Sequence, residues 1–433
     1  MRKSTLTIII IISVAVIAAG MYWFFFYNKT VTPVTPVAGD QGFTTINRNP
    51  PTSKGATSTT TSTTTTGITK TSTTTSQYGT KMRLPKLRQL STTPVAGMFA
   101  STTKIKSSAL ASTTIDETIV RFIDRGAGHI FQANDLNLDI EKISNTTLPK
   151  IYEGYWNKNL TAMVLRYLKD DTDYVTNFYA ELRKPATSTN LSTTQYEIKG
   201  KYLLQSIDQV VVSPLGDKIF TWNIEGGNGV GYLSSFDDKS KVKLIDTPLT
   251  QMNIDWQDPL NVSMTTKGSG LSSGYSYLVN TKTGSITKFL SGIKGLSAKY
   301  SKDSKNIIYS SGGSTIKTSV LGTQNSTSTE VIFGTIVDKC VWSSLRKNEV
   351  YCAVPNEIPE GLYPDDWYKG KVSFVDKIWH LDTVTGEVHL IANLSLLSKD
   401  LIDATQLTLD PKENYLYFIN KQDLTLWSLD LNQ

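Results

Sequence analysis

From about residue 85 to its end the chain alternates short apolar stretches with polar turns. Seven stretches, Ala96–Ala100, Tyr152–Trp156, Val210–Ser213, Met252–Trp256, Leu296–Tyr300, Lys339–Trp342 and Gln406–Leu409, each lead into a polar turn or loop and then a second apolar strand. Successive reference positions 156, 212, 256, 300, 342 and 409 are separated by 56, 44, 44, 42 and 67 residues. A base period near 43 with two enlarged members matches the ~40–45 residues of a four-stranded propeller blade. Almost nothing in this region reads as helix. The predicted fold is therefore all-β, a seven-bladed β-propeller over residues 84–433.

The seventh unit carries only three strands: Leu409 ends one, and Tyr415–Ile419 and Leu424–Leu429 supply two more before the chain stops. Lys86–Ser91 stands before Pro94 as Thr287–Leu290 stands before Leu296, so it is expected to lend the missing outer strand and leave no open edge. The turns repeat as well. Val279–Gly284 and Leu381–Gly386 are near-copies of one outer hairpin.

Tyr300-Ser-Lys-Asp-Ser-Lys-Asn-Ile-Ile-Tyr309 and Val212-Ser-Pro-Leu-Gly-Asp-Lys-Ile-Phe220 resemble the Trp-Ser-Pro-Asp-Gly-Lys repeat of TolB-type and WD40-like propellers. The resemblance covers residues 85 to the end. It implies a ring-shaped binding scaffold, often extracytoplasmic, and no particular chemistry. The Gly-His and Trp-Asp signatures of eukaryotic WD40 repeats are absent.

Residues 1–83 follow another pattern. Leu6 to Tyr27 is an uncharged apolar run. As a helix at ~1.5 Å per residue it spans roughly 33 Å, about one bilayer core. Arg2 and Lys3 precede it, which predicts a cytoplasmic N-terminus. Ala18-Ala19-Gly20 offers a signal-peptide cleavage site, but Tyr22-Trp23-Phe24-Phe25-Phe26-Tyr27 follows at once, where a mature chain would begin polar. Residues 1–29 are accordingly read as a cytoplasmic stub and single-pass signal anchor in the cell membrane, with the propeller outside. Residues 30–83, rich in Thr, Ser and Pro, have too few apolar side chains to offset backbone entropy and read as a disordered linker. As a flexible coil they have an r.m.s. span of about 40 Å.

Charge removes one class of partner. The formal net charge of +6 is concentrated early: residues 1–88 hold ten Lys/Arg against Asp40 alone. Residues 89–433 hold 34 Lys/Arg against 37 Asp/Glu, a net −3, so the propeller is not a basic nucleic-acid binder.

The sequence shows no catalytic constellation, metal motif or cofactor motif. Gly270-Leu-Ser-Ser-Gly274 fits a nucleophile elbow by spelling, but a strand follows it instead of a helix. His129, His380 and His389 are too scattered for ligand spacing. Asp170-Asp-Thr-Asp173 lacks the glycine and distal glutamate of a calcium loop. Trp156, Trp256 and Trp342 share one repeat position and read as packing between blades.

Two features stand out. In six units the loop between the second and third strands is compact. In the sixth, Pro355–Gly370 inserts Glu357, Glu360, Asp365 and Asp366 among Tyr363, Trp367 and Tyr368. One reading is an acidic, aromatic recognition loop above the ring, with Trp and Tyr as anchors; the other is a flap that covers blade six. The second feature is the pair Cys340 and Cys352, symmetric about Arg346 in one hairpin. That register sets them directly opposite, with Trp342 against Val350. Outside the membrane the pair can oxidise to a disulfide, closing a loop worth on the order of 3 kcal/mol; otherwise they are two small apolar side chains packed in the blade.

The function these observations predict is a non-enzymatic binding module for an envelope protein, peptide or glycan. The competing expectation is a propeller enzyme, a polysaccharide lyase or hydrolase, or a regulatory partner of one.

Overall fold

In a computed structural model of the chain, residues 84–106, 114–168, 174–184, 195–203 and 207–433 are described. The predicted anchor at Leu6 to Tyr27, the linker and the Asp170–Asp173 turn lie outside these residues. Among the described residues no helix is long and apolar enough to cross a membrane.

The described strands form seven four-stranded antiparallel sheets. After β1 (Leu87–Gln89), blade one holds β2 (Val95–Lys106), β3 (Thr114–Asp124), β4 (Ile130–Asn134) and β5 (Ile140–Ser144). Blade two holds β6 (Ile151–Trp156), β7 (Ala162–Leu168), β8 (Val175–Arg183) and β9 (Glu197–Tyr202). Blade three holds β10 (Gln209–Val212), β11 (Lys218–Glu225), β12 (Asn228–Ser235) and β13 (Val242–Thr247). Blade four holds β14 (Met252–Asp258), β15 (Asn261–Thr266), β16 (Ser273–Asn280) and β17 (Ile286–Lys294). Blade five holds β18 (Ser297–Tyr300), β19 (Asn306–Ser311), β20 (Lys317–Gly322) and β21 (Ser328–Glu330). Blade six holds β22 (Cys340–Trp342), β23 (Glu349–Pro355), β24 (Asp376–Asp382) and β25 (Val388–Asn393). The last sheet runs β1, β28 (Leu426–Asp430), β27 (Tyr415–Asn420), β26 (Ala404–Leu409), with Leu87 opposite Leu429 and Gln89 opposite Trp427.

The first strands touch in succession, β2 to β6, β10, β14, β18, β22 and β26, and β26 returns to β2. The described residues thus form an all-β propeller of seven blades, with each reference position on the innermost strand of its blade. Alternation along those strands divides the ring. In β14, Met252, Ile254 and Trp256 are buried between blades, while Asn253 and Asp255 alternate with them. Trp156, Trp256 and Trp342 are buried in three separate interblade clusters.

Local chemistry explains the turns. In Asn280–Gly284 and Asp382–Gly386 the leading Oδ1 accepts from the main chain two and three residues on, and the glycine N–H returns to the carbonyl of the first residue at 2.9 Å in both. Those glycines adopt φ 71° and 76°, where a side chain is strained. Gly226 and Gly227, with φ 58° and 87°, form the two-residue hairpin turn between Glu225 and Asn228.

Among the described residues two short α-helices interrupt the all-strand expectation. A single turn, α1 (Asp365–Tyr368), lies inside the blade-six insertion, and α2 (Leu394–Ser398) follows β25 with Asn393 as its N-cap. Such one-turn elements are too short to leave a helical periodicity in sequence.

The hairpin register of blade six pairs Cys340 with Cys352, Val341 with Tyr351 and Trp342 with Val350. The cysteine sulfurs are bonded at 2.07 Å, with Cα atoms 4.1 Å apart, and both residues are fully buried.

Candidate functional site

The innermost strands leave a cavity of about 620 Å³ on blades three to seven, lined by polar side chains of those strands together with the apolar Ile254, Ala298 and Trp367. Gln209 of β10, Asp255 of β14, Lys299 of β18 and Gln406 of β26 contribute to its wall, with Asp338 from the 3-10 turn that precedes β22. Gln406 is at a register shift in β26 and has φ 53°, a strained conformation for a side-chain-bearing residue. Trp367 and Tyr368 border the cavity from the blade-six insertion.

That insertion does not stay over blade six. Its main chain reaches the loops of blades five and four: Tyr363 N donates to the Gly313 carbonyl at 2.7 Å. The Asp365 carboxylate accepts from Ser269 Oγ at 2.9 Å and Gly270 N at 2.7 Å. A Cβ on Gly312 would stand 2.2 Å from the Tyr363 carbonyl, so only glycine permits this approach. The insertion therefore bridges three blades as a lid.

The lid has its own core, made of Ile316, Ile336, Tyr363, Trp367 and Phe374. This corrects the anchor role expected for two aromatics: Tyr363 and Trp367 are 0% and 3% exposed, turned inward by the apolar surface they cover. Asp365 is engaged with blade four, and Asp366 accepts from Leu362 N at 2.9 Å and pairs with Lys371 at 3.3 Å. Glu357 and Glu360 are exposed on the lid's outer arm. Tyr368 alone of the three aromatics is open to solvent, at 38%, while its hydroxyl donates to Asp338 Oδ2 at 2.7 Å. Burial of that hydroxyl and then the Asp338 carboxylate raise its pKa well above the ordinary tyrosine value.

Three consecutive residues tie lid, wall and blade together. Asp338 accepts from Tyr368 and from Ser297 Oγ. Lys339, fully buried, pairs with Asp376 at 2.7 Å and with Asp403, and lies 5.3 Å from the Trp367 ring. Asp403 also accepts from Trp367 Nε1 at 2.9 Å and Phe374 N at 3.0 Å. Cys340 carries the disulfide and accepts at its carbonyl from Lys299 Nζ at 2.7 Å.

Asp255, Lys299, Asp338, Lys339, Asp376 and Asp403 are absent from the sequence-based candidates. For Asp255 and Lys299 the signal was a charged residue inside an otherwise apolar inner strand, Ile254-Asp255-Trp256 and Ala298-Lys299-Tyr300; Asp338, Lys339, Asp376 and Asp403 fall in a short turn or at strand ends and leave no such pattern. Elsewhere, His380 and His389 do meet, with rings stacked 6.1 Å apart on adjacent strands, and His380 contacts Glu349 at 2.8 Å; His129 remains apart on blade one. Gly270–Gly274 leads into β16, with no helix to form an elbow. Among the described residues no group of three or more His, Cys, Asp or Glu is placed to hold a metal ion.

The architecture defines the class as a seven-bladed β-propeller. No family model and no curated protein matches the chain. Among solved structures it is similar to an oligogalacturonate lyase in complex with manganese, at 10% identity and a TM-score of 0.48, covering 80% of this chain and 98% of that one. It is similar to the tricorn protease at 9% identity and a TM-score of 0.48, covering 77% of this chain and 33% of that one. It is similar to TolB from Acinetobacter baumannii at 13% identity and a TM-score of 0.40, covering 77% and 79%. At these identities the likeness concerns the fold alone.

Proposed function

We propose that this chain is a membrane-anchored, extracytoplasmic binding module whose partner, an envelope protein, peptide or glycan, is engaged at the lidded cavity of the propeller. The observation that carries the reading is the cavity itself: about 620 Å³, walled by polar groups from several blades and bordered by Tyr368 of a lid that is braced across three blades. A concave site with a few convergent polar groups on a rigid scaffold is the usual form of a binding site. The residues 6–27 hold it at the membrane in this reading, and residues 30–83 give it reach.

The test compares the full-length protein with Ala298→Trp, which fills the cavity from β18, for retention of components of an envelope extract. Retention by the parent and its loss in Ala298→Trp, with an unchanged thermal midpoint, is the expected result. Equal retention by both would remove the cavity from the function. Turnover of an envelope polysaccharide by the parent would favour the competing reading, a propeller lyase or hydrolase.

A further inference from the structure

Two half-buried charges in the cavity wall lack the partners that similar charges have nearby. Lys339 is neutralised by two carboxylates. Lys299, one strand away and facing the cavity, has as its partners two main-chain carbonyls, Cys340 O at 2.7 Å and Asp338 O at 3.4 Å, and no carboxylate among the described residues pairs with it. An ammonium has three donors, so one is left for a ligand. Lys267, exposed on the rim of the same cavity, adds a second positive charge. The Asp338 carboxylate, whose oxygens accept from the Ser297 and Tyr368 hydroxyls, makes no ion pair with Lys299. On the neighbouring inner strand, Asp255 Oδ2 is buried without a hydrogen-bond partner, although Oδ1 accepts from Trp256 N and Gln257 Nε2. A buried acceptor left empty in the free protein is a place for a ligand donor.

We propose that the cavity takes the C-terminal end of a peptide, with the terminal carboxylate on Lys299 and a peptide N–H on Asp255; this rests on the cavity being the binding site. A chain terminus presents both groups, an anion and a neighbouring N–H donor, and Ile254 and Ala298 in the same wall leave an apolar surface for a side chain. An acidic sugar offers the same charge, but the tryptophan face on which it would stack is closed: Trp367 is 3% exposed, its ring is stacked on Phe374, and the Lys339 and Lys421 ammoniums lie 5.3 and 5.0 Å from its centre. Tyr368, 38% exposed on the border of the cavity, is the open ring that remains, so glucuronate is the competing probe.

The experiment uses the full-length protein and ligand-observed NMR with three probes: a pool of N-acetylated tripeptides with free carboxylates, the same pool as C-terminal amides, and glucuronate. The acid pool binds and the amide pool binds at least tenfold more weakly. Lys299→Met weakens the acid pool at least tenfold with an unchanged thermal midpoint, and Lys299→Arg recovers most of the affinity. Failure of the acid pool to bind overturns the proposal, as does Lys299-dependent binding of glucuronate in its place. Equal binding of acid and amide pools, both lost in Ala298→Trp, overturns carboxylate recognition while the cavity reading stands. If Ala298→Trp also leaves envelope retention unchanged, the cavity reading falls separately.

Discussion

Lys339 and its two carboxylates set the energetics of the site at the level of single residues. All three side chains are fully buried, and the group joins β24, the start of β26 and the lid through Trp367. Removing one member of a buried ion group strands the others, at a cost of about 3–5 kcal/mol. Lys339→Met is therefore expected to lower unfolding stability by that amount, read from urea midpoints, and to loosen the lid. The same group is pH-sensitive. Burial, and then the Asp403 charge, push the Asp376 carboxyl up to about 6 against the pull of Lys339. An unfolded Asp titrates at ~3.9. Between the two values the native state holds a proton that the unfolded chain has lost, so this contribution to stability grows as pH falls through about 6 and is complete below about 4. Asp376→Asn should erase it. The change in stability between pH 7 and pH 4.5 is expected to differ between parent and variant by about 2 kcal/mol; parallel curves would assign no such role to Asp376.

Elements decide where these residues can act. The insertion after β23 was legible in sequence as the one long loop among compact ones, with its acids and aromatics named. Its path was not, because the contacts that route it are made to main-chain groups of blades four and five: Asp365 to Gly270, and Tyr363 against Gly312 and Gly313. Those partners are bare backbone and glycine, which leave no mark in a hydrophobicity pattern. The strand β1 shows the opposite case. Its pairing partner was legible because blade seven counted one strand short, and Leu87–Gln89 lies along β28. We propose that this strand closes the ring. Deleting residues 84–92 should then expose the edge of β28 and lower the thermal midpoint sharply or cause aggregation. Deleting residues 40–78, which removes no strand of the seven sheets, should leave the midpoint unchanged. Equal midpoints for the two truncations would count against closure by β1.

At the scale of the whole molecule, the net −3 of residues 89–433 contrasts with the basic first 88 residues. The proposed topology places only about the first five residues inside the cell, by the charge rule. Protease added to intact spheroplasts is expected to release the propeller by cutting within residues 30–83. Protection of the propeller until lysis would reverse the topology.

The sequence by itself determined the repeat, the number of blades, the strand on which each reference position falls, and the register that sets Cys340 against Cys352. These follow from periods of two residues within a strand and about 43 between blades, which act along the chain. Only the tertiary structure decided the site. Asp255, Lys299, Asp338 and Gln406 come from four blades and are brought to one cavity by ring closure, so no spacing along the chain could relate them. It also decided that Trp367 faces inward and Tyr368 outward, because adjacent residues on one helical turn point about 100° apart and the lid's core took the first.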